Sequence, residues 1–233
     1  MSQIIALCGF SNCGKSTSLK YLDPSETFII SCTNKQLQIP GFRKKYPKVK
    51  VDDGKLQGNW LVSNSYTQIE KIMNVVSKTR PEVRTVVIDD ANYLLSNETF
   101  QQALNKGYEK FSVMAKNYYD LIQSCQQLRD DLTVVFISHI ENFGTDLEPS
   151  YRMWVTGKML INQINLDGLF SYIIYAERYL DENENDEVKY RFRTRTNGND
   201  TCRSVAGCFE EKYIEPNMQL VIDTITKFES GEE

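Results

Sequence analysis

The chain has 233 residues, of which 41% are hydrophobic and 25% charged, a near-average composition that excludes wholesale disorder or a fibrous repeat and suits one domain around a single core. Its formal charge of −4 excludes a global basic field, so any nucleic-acid contact must come from a local patch or from an oligomer's channel. The longest apolar runs, 85–88 and 132–138, fall far short of the roughly 20 residues of a membrane helix, and the first residues lack the basic and apolar regions of a secretory signal. A cytoplasmic protein with no membrane partner is expected.

In chain order, residues 4–7 form a short apolar run that ends in a Gly-rich turn, and 15–21 continue as a helix that Asp23 and Pro24 stop. Residues 28–31 read as a second buried strand. The stretch 33–64 is polar and punctuated by Lys, Gly and Pro, with only 49–51 extended, and is expected to be an insertion or mobile surface region. Ile69, Ile72, Met73 and Val76 mark one face of a helix over 67–78, with Thr67 as its cap and Arg80-Pro81 as its end.

Residues 85–89 are an apolar run tipped by Asp89 and Asp90, 97–128 a long helix or helix pair, and 132–138 a third core strand. This alternation predicts an α/β fold with a mostly parallel central sheet flanked by helices. Residues 169–179 and 188–196 predict a C-terminal antiparallel hairpin around the acidic turn 181–187. Pro216 opens a last helix carrying Met218, Val221, Ile222 and Ile225 on one side, within a single domain over 1–229 and before a frayed tail at 230–233. Cysteines 8, 13, 32, 125, 202 and 208 form no CxxC pair and suit reduced, buried thiols, with Cys13 inside the Gly-rich turn.

Gly9-Phe10-Ser11-Asn12-Cys13-Gly14-Lys15-Ser16 matches the GxxxxGKS phosphate-loop pattern in full, after a predicted strand and before a predicted helix. Backbone N–H groups of Gly9, Ser11, Asn12, Cys13 and Gly14 can turn inward around the phosphates of ATP or GTP. Lys15 supplies a positive charge to the β and γ oxygens, Ser16 a ligand for Mg2+, and Thr17 lies near the α-phosphate. Asp89, at the tip of its apolar strand, is the expected partner of the magnesium shell. Asp90 stands where many ATPases carry a water-polarising glutamate one methylene longer; the alternative is a helix-capping carboxylate. His139, the only histidine, follows a core strand at the edge where parallel sheets bind ligands, as a γ-phosphate sensor or as a structural hydrogen-bonding group.

With 85–89 well downstream of the strand at Phe28, the layout is that of the ATPase division of phosphate-loop proteins. Residues 9–17, 86–90 and 136–139, the Gly157-Lys158 loop and the late hairpin together resemble the RecA-fold phage ATPases of single-strand annealing and recombination, over roughly residues 1–205. The resemblance implies a RecA-like P-loop NTPase with ATP and Mg2+ as cofactors. It also implies a homo-oligomer whose loop after the sensor strand, here 140–158, faces single-stranded DNA, usually beside a single-strand binding protein. That loop offers Phe143, Tyr151 and Trp154 for stacking and Arg152 and Lys158 for phosphates; the alternative is aromatics packed down on the core. Two features depart from the family: the net charge is negative, and no glutamate follows the second strand. Arg193 and Arg195, two apart on the last strand, are either trans-acting arginine fingers for a neighbouring subunit or solvated strand charges. Two rival functions stay open: a small-molecule kinase, and a nucleotide-gated interaction module with little turnover.

Overall fold

Strands of the core are apolar on both faces and divide their side chains with period two between two layers of helix. In β1 (Gln3–Cys8), Ile4, Ala6 and Cys8 point into one layer and Ile5 and Leu7 into the other; in β2 (Thr27–Ser31), Phe28 and Ile30 oppose Ile29 in the same way. Such double burial belongs to parallel sheets covered on both sides. The computed structural model describes residues 1–53, 55–104, 107, 109–155, 165–181 and 187–231.

After β2 come α1 (Phe42–Lys45), the antiparallel pair β3 (Lys50–Asp52) and β4 (Lys55–Gln57), then β5 (Trp60–Val62) and α2 (Tyr66–Thr79). The core resumes with β6 (Thr85–Asp89), α3 (Asn92–Gln101), α4 (Glu109–Gln126) and β7 (Thr133–Ser138). A small hairpin follows, β8 (Ile140–Asn142) with β9 (Tyr151–Met153), and then β10 (Tyr172–Asp181), β11 (Glu187–Arg193), β12 (Tyr213–Ile214) and α5 (Met218–Ser230).

Among the described residues, eight strands form one sheet in the order β12-β11-β10-β1-β7-β6-β2-β5. Every pairing from β10 to β5 is parallel, whereas β11 and β12 add antiparallel. The fold is therefore α/β, with a mostly parallel central sheet flanked by helices and an antiparallel hairpin at one edge. α2 and α4 cover one face through Ile69, Met73, Leu121 and Ile122; α5 and a short 3-10 helix, Ser16–Tyr21, cover the other through Val221, Ile225 and Leu19. β7 lies between β1 and β6, so the carboxyl ends of all three strands open on one edge, where parallel sheets bind ligands. No helix among the described residues is long and apolar enough to cross a membrane, and the six cysteines are free and buried.

Several boundaries differ from expectation. α2 is capped by Ser65, whose extended backbone lets its side chain accept from the Gln68 N–H, and Thr67 lies inside the first turn. Of the helix or helix pair expected over 97–128, the structure gives the pair, α3 and α4, with α3 starting earlier, at Asn92 directly after β6. The expected acidic turn includes residues 182–186, which lie outside the described residues, as does most of the Gly157-Lys158 loop region at 156–164.

The stretch 33–64 is built into the fold rather than hung on it. Leu37, Ile39, Phe42 and Tyr46 are buried, and β5 pairs with β2 at the sheet edge. The polar composition concealed this because few apolar residues carry the packing: the Phe42 ring lies 5.3 Å from Tyr46 and 5.1 Å, edge-to-face, from Trp60. Phe42→Ala is expected to destabilise the fold by about 3 kcal/mol, read as a fall in the urea midpoint; an unchanged midpoint would mean that the stretch contributes nothing to the core.

Candidate functional site

The turn after β1 is held in shape by backbone constraints. A Cβ on Gly9 would meet the Ala176 carbonyl oxygen of β10 at 2.5 Å, so only glycine lets the loop leave β1 this close to its neighbour. Asn12 (φ 61°) and Gly14 (φ 83°) are left-handed, the conformation in which successive N–H groups line an anion-binding concavity.

Lys15 follows at once and is only 6% exposed. Its ammonium donates to the carbonyls of Gly9 (2.8 Å) and Phe10 (2.7 Å) and lies 3.4 Å from Nδ1 of His139. Burial lowers its pKa below the usual lysine value, partly offset by the acidic groups around it.

Ser16 Oγ donates to Asp89 Oδ1 at 3.1 Å, which joins the loop to the end of β6. Burial and, next, the adjacent Asp90 push the Asp89 carboxyl up to about 7, against the pull of Ser16, Lys35 and Lys15. Among the described residues no three His, Cys, Asp or Glu side chains form a metal site by themselves. Magnesium in phosphate sites takes one or two protein oxygens and completes its shell with phosphates and water. The hydroxyl of Ser16 and the carboxylate of Asp89 are a hard-oxygen pair that fits this demand.

Asp90 has φ 57°, a left-handed conformation that is uncommon outside glycine and clusters at functional sites. Its carboxylate does not cap α3, which has no side-chain cap. Instead Thr33 Oγ1, just past β2, donates to Asp90 Oδ2 at 3.4 Å, and His139 Nε2 stands 3.9 Å from Oδ1. Burial and then the Lys15 charge lower the His139 pKa, while Asp90 opposes them, so this ring is held neutral near pH 7. His139 thus faces the loop as well as the carboxylate. These groups line a cavity of about 700 Å³, within the range of ligand clefts.

Residues that sequence reasoning missed line the same cavity: Thr33, Lys35, Tyr93, Tyr190 and Pro216. For Thr33 and Lys35 a signal existed, since both lie just beyond the carboxyl end of a core strand. Tyr190 and Pro216 reach the cavity by tertiary contact alone.

The expected DNA loop is less uniform than its composition. Phe143 is 50% exposed, with the Arg152 guanidinium 4.9 Å above its ring, but Arg152 also donates to Glu141 at 2.9 Å, so its charge is already balanced. Tyr151 turns inward and meets Phe10 edge-to-face at 5.6 Å. Trp154 is half-buried, with its backbone N–H on the His139 carbonyl. Lys158 lies outside the described residues.

Both expectations for Arg193, a trans-acting finger or a solvated strand charge, need correction. Arg193 is 3% exposed and bonded to Glu177 and Asp200 of its own chain, so it has no free guanidinium for a neighbour. Arg195 is exposed and donates to the Glu210 carbonyl.

Beneath the β8-β9 hairpin, burial pushes the Asp167 carboxyl up to about 6, moderated by the Met153 backbone amide and by Arg203 and Arg152, and among the described residues its Oδ1 has no hydrogen-bond partner. The folded state therefore favours the protonated acid. That stabilisation is complete below the ordinary value of 3.8 and is lost as pH rises through about 6. Asp167→Asn should shrink the difference in unfolding free energy between pH 5 and pH 8 by about 1 kcal/mol. Urea titrations at the two pH values check this; an equal difference in both proteins would discount the buried acid.

Comparison of the chain with protein-family models and with curated proteins finds no match.

Proposed function

We propose that this chain is a RecA-like P-loop ATPase that binds Mg2+ and ATP and couples them to single-stranded DNA in phage-type annealing or recombination. One observation carries the nucleotide reading: Lys15, Ser16, Asp89, Asp90 and His139, from the ends of β1, β6 and β7, meet within hydrogen-bonding or ion-pair distance around one cavity. The position of β7 between β1 and β6, which separates the loop strand from the strand of Asp89, supports the ATPase division over the kinase–GTPase division.

In this reading the amides of the loop and Lys15 hold the phosphates, with Lys15 exchanging a loop carbonyl for a phosphate oxygen. Ser16 and Asp89 would hold magnesium, which when bound would supply positive charge to offset that of the phosphates. Asp90, fixed by Thr33, accepts a proton from the attacking water, and His139 orients beside it. The Phe143–Arg152 stack on the β8-β9 hairpin supports DNA contact of the stacking kind.

A second reading, a nucleotide-gated protein-interaction module, is favoured by the Glu141–Arg152 pair, which balances the one cation of the hairpin and leaves Asp146 and Glu148 to give it a negative charge. Steady-state phosphate release from Mg-ATP, with and without single-stranded DNA, separates the two. Stimulation by DNA supports the coupled ATPase. Tight nucleotide binding without stimulation moves the assignment to the module, and release that requires an added acceptor would instead indicate a kinase.

A further inference from the structure

Phosphoryl transfer builds negative charge on the γ-phosphate, and phosphate-loop enzymes meet it with a second cation besides the loop lysine. Arg193 cannot supply it, being locked between Glu177 and Asp200. Among the described residues, the lysines and arginines lining the cavity are Lys15, Lys20 and Lys35. Lys15 belongs to the loop. The ammonium of Lys20, on the 3-10 helix, is engaged 4.7 Å from the centre of the Tyr21 ring.

Lys35 differs from both. It lies four residues past the end of β2, in a segment anchored by Thr33 on Asp90 at one side and by the buried Leu37 and Ile39 at the other. Its own side chain is exposed, and among the described residues no hydrogen bond or ion pair holds it. Its charge is felt at both Asp89 and His139, favouring the carboxylate and disfavouring the imidazolium. An ammonium on a flexible stem, lining the same cavity as Asp89 and Asp90 without bridging them, is free to engage an anion that enters the cavity.

We infer that Lys35 is the cation of this chain that contacts the γ-phosphate of a bound nucleoside triphosphate, acting in cis and distinguishing triphosphate from diphosphate. The inference rests on reading the cavity as a triphosphate site. It assigns to the segment after β2 the task that the sequence alone offered to Arg193 and Arg195.

The test is calorimetric titration of the full chain with Mg-ADP and with the non-hydrolysable β,γ-imido analogue of Mg-ATP, in wild type, Lys35→Ala and Lys35→Arg. Loss of one charged contact should weaken the triphosphate analogue about 10-fold or more in Lys35→Ala, while ADP affinity stays within about 2-fold, because a contact confined to the γ-phosphate has nothing to lose there. Lys35→Arg, which keeps the charge, should recover most of the triphosphate affinity. Equal weakening of both nucleotides, or no weakening of either, overturns the assignment of Lys35 while leaving the phosphate site intact. A wild-type chain that binds neither nucleotide overturns the triphosphate site and the Lys35 inference together.

Discussion

Lys15→Ala is expected to weaken Mg-ATP binding by about 100-fold or more and to abolish phosphate release. The Lys15 ammonium is held in a buried position where desolvation already lowers its pKa. A phosphate beside it would relieve that cost, so its contribution to anion binding exceeds that of an exposed lysine, whose pairing water screens. The substitution leaves two loop carbonyls, Gly9 and Phe10, without their donor, the Gly9 bond being buried, so a stability loss of about 1 to 3 kcal/mol should accompany it. Calorimetry with Mg-ATP and a thermal melt of the same sample make the comparison. Retained ATP affinity in a folded variant would remove the turn after β1 from the phosphate site.

The second large effect is expected at Asp90. Asn at this position keeps the shape, tolerates the left-handed backbone and can still accept from Thr33, but it cannot take up a proton. Turnover of Asp90→Asn should therefore fall by about 10² to 10⁴, with ATP binding unchanged or tighter, because a negative charge facing the γ-phosphate has been removed. The same change should lower the pKa of Asp89, since Asp90 is the second cause of its elevation. Single-turnover phosphate release, paired with nucleotide titration, separates the two effects. Undiminished turnover would return Asp90 to a structural role and shift the search for the base to its neighbours.

Much of the site was legible because its chemistry is local. Gly9, Gly14, Lys15 and Ser16 are adjacent in the chain, and their spacing encodes the turn: the close approach of β10 demands glycine at 9 and the left-handed φ favours it at 14. Asp89 and His139 were legible for a related reason. Each ends a strand whose unbroken apolar run marks it as buried on both faces, and in a parallel sheet such ends converge on one edge.

Assignments that depended on partners from distant parts of the chain were not legible. Arg193 and Arg195 look alike as a pair on one strand, and only the folded chain brings Glu177 and Asp200 against the first of them. Tyr151 and Trp154 share a stacking composition with Phe143. The hairpin register instead turns Tyr151 toward Phe10 and fastens the Trp154 backbone to His139. The stretch 33–64 reads as surface because its few apolar residues are widely spaced, yet Leu37, Ile39 and Phe42 pack together against the same layer as Val87 and Val135.

By itself, then, the sequence determined the glycine-bearing turn after β1, the α/β alternation and the strand-end carboxylates, because steric and hydrophobic constraints act over a few consecutive residues. Only the tertiary structure decided that Asp90 faces Thr33 and His139 rather than capping α3, that Arg193 is held in cis, and that Lys35 shares the cavity of Lys15. Each of these depends on which charges meet across the sheet edge, and chain spacing carries no record of that.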